Sequence, residues 1–183
     1  MTRKDELRDN ALEYFLDRGL ADLSLRPLAQ AIDSSARLLI YHFGSKEGLI
    51  ATVMAEVHAR NQRSFAELMH KTHGKGGLEA FWAWTVAPAN IRYVRLLFEV
   101  QMLAMKNPEG YAQYLEGSSS SWIDLIAQSL PPGPNVRAVA TLCVAVIDGL
   151  VLEYLSTNDL ARTGKALSLF AAMLSDRLQA NRK

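Results

Sequence analysis

Apolar residues recur at helical spacing along almost the whole chain, and this periodicity limits the possible folds more than any other feature. The first run places Leu7, Ala11, Leu12 and Phe15 on one helical face. No run of five or more residues alternates apolar and polar side chains with the period of a strand. Leu and Ala are abundant, whereas Gly and Pro supply only 11 and 6 of the 183 residues. The sequence therefore predicts an all-α protein.

Composition narrows the protein class and the compartment. Hydrophobic residues make up 49% and charged residues 21%, a balance typical of a folded soluble domain. The single cysteine, Cys143, excludes an intramolecular disulfide and a cysteine-based zinc site. The opening residues lack an apolar run of signal-peptide length, and charged side chains interrupt the most apolar stretch, residues 136–155. We expect a cytoplasmic protein with no membrane partner and no cofactor.

Glycine and proline positions divide the chain into segments. The glycine-rich run from Gly74 to Gly77 is the clearest boundary, because clustered glycines destabilise helices. We predict an N-terminal domain over residues 1–45, a connecting helix over 46–73 and a larger helical domain over 74–183. Within the larger domain, prolines separate predicted helices at 78–87, 89–106 and 109–129, and two more helices follow the proline loop at 131–134.

The stretch from Ser24 to Ile50 predicts two short helices around a tight turn, followed by a long capped helix. Ser24 is a plausible N-cap and Pro27 falls in the first turn, where its missing N–H breaks no hydrogen bond. Residues 33–35 form a polar break, the next helix ends near Phe43, and Ser45 caps a helix that reaches roughly His70. This spacing is how helix-turn-helix proteins present a recognition helix to the DNA major groove.

At this point the sequence resembles the TetR family of transcriptional regulators. The resemblance depends on three segments, ALEYFLDRG in the first helix, LAQAI in the second and IYHFGSKEGLI across the start of the fourth. Their coverage is about the first 57 residues, and the rest matches in length and helical layout. The resemblance implies a three-helix DNA-binding head and a helical ligand-binding and dimerisation domain.

Two residues depart from the family pattern. Asp33 replaces the usual turn glycine, and aspartate tolerates left-handed backbone geometry better than most side chains. Ile40 replaces a tyrosine, so a phosphate hydrogen bond that is common in the family is lost at this position. Tyr41 or His42 must then supply that bond.

Seven residues are the candidates for contact with DNA. Between residues 24 and 46 the chain carries three cationic side chains and one carboxylate, so positive charge is concentrated there although the whole chain has a net charge of only +1. Arg26 and Arg37 can bind guanine edges bidentately. The hydroxyl, imidazole and ammonium groups suit phosphates, which fix register without specifying sequence. These phosphate candidates are Ser24, Ser35, Tyr41, His42 and Lys46.

Enzymatic motifs are missing from the sequence. No nucleophile elbow and no phosphate-binding glycine loop occurs, so we expect no enzyme. Glu67, His70 and His73 have a spacing that could hold a metal ion. They fall at a predicted helix C-terminus, where positive charge complements the helix dipole, and we interpret them as helix-end residues rather than ligands.

Two features of the larger domain bear on its partners. An aromatic, methionine and glutamine set could line a cavity for an apolar effector, or could be ordinary core: Trp82, Tyr93, Phe98, Gln101, Met102 and Trp122. The helix from Val136 is apolar on nearly all sides, and the last helix groups Phe170, Met173 and Leu174, so pairing with a second copy is expected.

The resemblance implies a homodimeric repressor that binds a palindromic double-stranded DNA operator and releases it when a small molecule occupies the larger domain. The alternative is an effector-binding or protein-interaction module whose head no longer reads specific DNA. The sequence names neither the operator nor the effector.

Overall fold

The structure, a computed structural model, describes residues 2–71 and 77–180. Within these ranges all regular secondary structure is α-helical, which confirms the predicted fold class. The predicted helix ends agree with the structure to within three residues. In chain order the helices are α1 (Arg3–Arg18), α2 (Leu25–Ala31), α3 (Ala36–Phe43), α4 (Lys46–Lys71), α5 (Gly77–Val86), α6 (Pro88–Lys106), α7 (Ala112–Ser129), α8 (Val136–Thr157) and α9 (Leu160–Ala180).

Local chemistry sets the ends of the first helices. Thr2 and Asp5 form a capping box at the start of α1, and Gly19 ends the helix with φ 73°. The Ser35 hydroxyl accepts the Leu38 N–H at 3.1 Å at the start of α3. Ser45 caps α4 in the same way, as predicted, by accepting the Gly48 N–H at 2.9 Å.

Position 48 has no space for a side chain. A Cβ at Gly48 would lie 2.2 Å from the carbonyl oxygen of Phe43. This close contact brings the start of α4 against the end of α3. The glycine therefore helps to set the angle between the two helices.

The first of two compact units comprises residues 1–61 and 91–119. Its buried core combines residues of α1 to α4, such as Leu7, Phe15 and Leu39, with Leu96 and Val100 of α6. The three N-terminal helices therefore do not close a core of their own. They share one with α6 and the beginning of α7.

The second unit comprises residues 62–90 and 120–183, in which α9 packs against α5 and α8. Its interior includes an aromatic cluster in which the Phe81 ring lies 4.5 Å from Phe65 and 5.6 Å from Trp122. Burial raises the pKa of the Cys143 thiol to about 11, so this cysteine acts as a core side chain and not as a nucleophile.

Much of the apolar surface of α8 is not covered by other residues of the chain. By length and composition it is long and apolar enough to cross a membrane, a test that the core helices of soluble proteins also pass. Only 22% of its most apolar window is buried. Leu142 and Leu152 are exposed on α8, and Leu169 and Met173 are exposed on α9.

The predicted division at residues 45 and 73 stays a prediction, since the compact units group the chain along different lines. Residues 74–76, which the sequence marks as a boundary, lie outside the described residues, and so does His73.

Candidate nucleic-acid interface

A tight turn holds α2 against α3. Asp33 adopts φ 50°, the left-handed geometry expected of the residue that stands in place of a glycine. The next residue, Ser34, donates its backbone N–H to the carbonyl of Ala29 at 2.8 Å. An aspartate at this position therefore preserves the turn, and the two short helices pack against each other.

Helix α3 turns one face to the core and the opposite face to solvent. Leu39 and Phe43 are buried, whereas Arg37 is exposed, Ile40 is 41% exposed and Tyr41 is 79% exposed. Of the three consecutive apolar residues 38–40, only Leu39 is buried, because successive residues of a helix point in different directions. The outward face thus offers a guanidinium, an aliphatic side chain and a phenol side by side, a combination suited to base edges and thymine methyl groups.

The other candidate DNA contacts surround this face on neighbouring elements. Ser24 and Arg26 are exposed at the start of α2, and the Ser24 side chain makes no capping hydrogen bond. Lys46 is the first residue of α4 and is half-buried. Ser35 is exposed, but its hydroxyl oxygen already accepts the Leu38 N–H. A phosphate at Ser35 would meet the hydroxyl hydrogen and the helix start.

Two ring contacts set the C-terminal end of α3. The Tyr41 and His42 rings meet edge to face at 5.1 Å, with His42 half-buried. The Lys4 ammonium lies 5.6 Å from the centre of the Phe43 ring. Sequence reasoning did not single out Lys4, since only the tertiary packing of α1 brings it beside α3.

Helix α6 reaches the turn between α1 and α2. The Glu99 carboxylate accepts the backbone N–H of Leu20 at 2.6 Å and also pairs with Arg95 at 3.2 Å. Just before α7, desolvation and then the charge of Glu47 on α4 raise the pKa of Tyr111. These contacts attach the N-terminal helices to α6 within the first unit.

The predicted effector residues fall in both compact units. Tyr93, Phe98, Gln101 and Met102 belong to the first unit, and Trp82 and Trp122 belong to the second. The Tyr93 ring lies 4.9 Å from the Arg60 guanidinium, and its hydroxyl accepts a hydrogen bond from Arg60 at 3.2 Å. Met102 is exposed on α6, whereas Trp82 is buried in the second unit.

Two buried polar side chains of α4 were not identified from the sequence. His58 and Asn61 are both buried, and burial lowers the pKa of His58. The signal that could have revealed Asn61 is a polar residue where the helical period calls for an apolar one.

In this head a tight turn joins α2 to α3, and α3 exposes a face that carries a cationic side chain. This arrangement is that of helix-turn-helix DNA-binding proteins, in which the helix after the turn enters the major groove. The family model described as "Bacterial regulatory proteins, tetR family" matches residues 7–53. Residues 7–53, which hold α1 to α3 and the start of α4, are thus similar to bacterial regulatory proteins of the tetR family.

Solved structures share this fold over nearly the whole chain. A transcriptional regulator from Rhodococcus sp. Rha1 has a TM-score of 0.79 and 18% identity, covering 94% of this chain and 95% of that one. Reduced NemR from E. coli has a TM-score of 0.74 and 16% identity, with coverage of 91% and 95%. The multidrug binding protein EbrR complexed with imidazole has a TM-score of 0.69 and 22% identity, with coverage of 91% and 88%. No curated protein matches the chain.

Proposed function

We propose that the protein is a homodimeric repressor that binds a palindromic operator and releases it when a small apolar or aromatic effector binds. The observation that carries the DNA-binding part is the outward face of α3, where Arg37, Ile40 and Tyr41 are free of the core. All seven candidate DNA contacts are exposed or half-buried, and none is enclosed in the core.

The candidate contacts divide into readers and positioners. Arg37 lies on the outward face of α3 and Arg26 on the adjacent α2, and each can donate two hydrogen bonds to guanine. Ser24, Ser35, His42 and Lys46 suit phosphates, and the exposed Tyr41 hydroxyl can replace the phosphate bond that Ile40 cannot make. The expected operator therefore contains guanine in each half-site.

A second copy of the chain is the occupant that best fits the exposed faces of α8 and α9. Leu169 is 65% exposed on α9, and Leu142 and Leu152 are exposed on the neighbouring α8. Large apolar side chains exposed on two helices that pack together are a feature of interfaces between proteins. A two-fold axis through a bundle of these helices would also present two copies of α3 about 34–36 Å apart, one turn of DNA.

Effector binding is proposed for the residues identified from the sequence, each set within its own unit: Tyr93, Phe98, Gln101 and Met102 in the first, and Trp82 and Trp122 in the second. EbrR, which shares the fold, is described as a multidrug binding protein and was solved with imidazole and with proflavin. A ligand releases DNA only if it favours the arrangement that does not bind DNA, and a coupling of about 1–3 kcal/mol changes operator affinity roughly 5–150-fold.

One observation favours the alternative, a module that binds an effector or a protein and does not read DNA. Ile40 is exposed in place of a tyrosine, and an exposed aliphatic side chain on α3 suits a protein surface as well as a thymine methyl.

Selection of bound DNA from a random pool decides between the two. Enrichment of one palindromic sequence supports the repressor, and random recovery supports the module. Repeating the selection with candidate ligands then tests release. Phe98→Ala and Trp122→Ala should alter the ligand response and leave ligand-free operator affinity nearly unchanged. Loss of folding in both variants, with no ligand that shifts binding, would assign these residues to the core.

A further inference from the structure

The buried face of α4 contains one polar residue where its pattern calls for an apolar one. Ile50, Met54 and Val57 recur at helical spacing and are fully buried in the core of the first unit. Asn61 comes next in this stripe and is only 3% exposed. Its side chain therefore leaves α4 on the face that packs into the core, where an aliphatic residue would continue the pattern.

The Asn61 amide is also unsatisfied. Its Nδ2 atom is buried and has no hydrogen-bond partner among residues 2–71 and 77–180. A buried donor without a partner lowers stability, whereas an apolar residue of the same shape at that position would be neutral or stabilising. A residue that breaks the local rule at a cost to stability is expected at a functional site.

The surroundings of Asn61 define which molecule could satisfy it. His58 lies one turn earlier on α4, and desolvation lowers the pKa of its imidazole, which favours the uncharged form. His58 and Asn61 are the buried polar side chains of the first unit, as far as burial is described there, and no carboxylate is among them. A charged ligand would therefore have no buried counter-ion.

We propose that Asn61 is the polar anchor for the effector, and that the effector is an uncharged, largely apolar molecule with a carbonyl or ether oxygen that accepts a hydrogen bond from Nδ2. This proposal rests on the proposed ligand response and adds a residue and a chemical class that the sequence did not indicate.

The position of Asn61 gives a bound molecule a direct route to the head. Asn61 and Lys46 belong to the same helix and the same compact unit. They are 15 residues apart, or about 22 Å along the axis at the ordinary helical rise. A ligand that draws Asn61 toward itself would move the helix whose first residue is a candidate phosphate contact.

The test compares ketones with hydrocarbons of the same shape. Binding of tetralone and tetralin, and of benzophenone and diphenylmethane, is measured by calorimetry on the free wild-type protein and on Asn61→Leu. We expect each ketone to bind the wild type about two- to tenfold more tightly than its hydrocarbon, the effect of one neutral hydrogen bond. Asn61→Leu should abolish that difference while hydrocarbon binding persists.

A second measurement does not depend on any probe. Asn61→Leu should leave the midpoint of thermal unfolding unchanged or raise it by up to about 4 °C. The matched control is Asn90→Leu, because Asn90 donates its side-chain amide to the Trp84 carbonyl at 2.7 Å. Loss of that bond should lower the midpoint by at least about 2 °C.

Three results would overturn the proposal. The first is a loss of stability in Asn61→Leu like that in Asn90→Leu, and the second is equal binding of ketone and hydrocarbon by the wild type. The third is no ketone binding at all, which would assign Nδ2 to a buried water. Because binding is measured without DNA, a protein that binds ketones through Asn61 and enriches no operator would refute the proposed repressor and leave the anchor standing.

Discussion

The two compact units differ in where they leave large apolar side chains exposed. The first unit encloses the apolar faces of α1 to α4 against α6, and where its burial is described the exposed large apolar residues are two on α3 and two on α6. In the second unit the exposed large apolar residues lie on α8 and α9, as far as the burial of its residues is described, and most of α8 is uncovered. The first unit covers most of its apolar side chains, whereas the second leaves large apolar residues exposed on two packed helices.

This difference separates two kinds of surface. On α3, the exposed Ile40 stands beside Arg37 and the phenol of Tyr41, the mixed chemistry that base edges and thymine methyls require. On α8 and α9, exposed leucines and a methionine stand together, as at the core of an interface between copies. The chemistry around an exposed apolar residue therefore indicates its partner better than the exposure does.

The largest effect is expected from charging the uncovered helices. The double variant Leu152→Glu with Leu169→Glu should be monomeric by light scattering, because two carboxylates cannot be buried in an apolar interface. Operator affinity should fall about 100-fold or more, since a single half-site retains little of the specific affinity. Met105→Glu, at an exposed apolar position of the first unit, should keep the dimer mass. A dimeric double variant would contradict the assignment of α8 and α9.

The next effect tests the surface of the first unit. Arg37→Ala should weaken specific binding by about 1–3 kcal/mol and relax base preference at one position. Lys46→Ala should weaken binding to all sequences alike and lower the salt dependence by about one unit. Equal losses on operator and random DNA for both variants would refute the division into readers and positioners.

A smaller effect tests how the N-terminal helices are attached to α6. Glu99→Ala removes the acceptor of the Leu20 N–H and should lower the free energy of unfolding by about 1–2 kcal/mol. Hydrogen exchange of the Leu20 amide should accelerate. Glu99→Gln keeps an oxygen acceptor and should retain most of the protection. If Glu99→Ala leaves the exchange rate of Leu20 unchanged, the contact contributes nothing to attachment.

The smallest effect belongs to the carboxyl of Asp148 on α8. Desolvation raises its pKa from an ordinary 3.8 to about 6, although the residue reaches the surface of the chain. The folded state then favours the protonated acid, so the carboxylate destabilises it above pH 6, and this penalty fades as the pH falls toward 4. After screening by solvent we expect about 1 kcal/mol or less.

Asp148→Asn should therefore raise the unfolding midpoint at pH 7 and flatten its dependence on pH between about 4 and 6. Thermal unfolding followed across this range measures both. A variant that retains the pH dependence of the wild type would show that another group titrates there.

Much of the fold could be predicted because its signals are local. Apolar residues at helical spacing specify helices, Ser45 caps α4, and Gly19 and Asp33 take the left-handed geometry that their positions suggest. The grouping into compact units could not be predicted in this way. It depends on α6 packing among the N-terminal helices, a contact between residues about eighty positions apart.

The candidate site divides along the same line. The sequence marks Arg37 and Lys46 because charge and helix position are readable from neighbouring residues. It does not mark Lys4 beside Phe43 or Glu99 beneath Leu20, since each pair meets only when separate helices pack.

By itself, the sequence determined that this chain is helical, where most of its helices begin and end, and which of them forms the exposed second half of a helix-turn-helix. Those properties depend on interactions within a few residues of the chain. Only the tertiary structure decided which apolar residues of α8 stay uncovered and that the Asn61 amide is buried with no partner among the described residues. Burial and hydrogen-bond satisfaction depend on distant segments, whose approach no local pattern specifies.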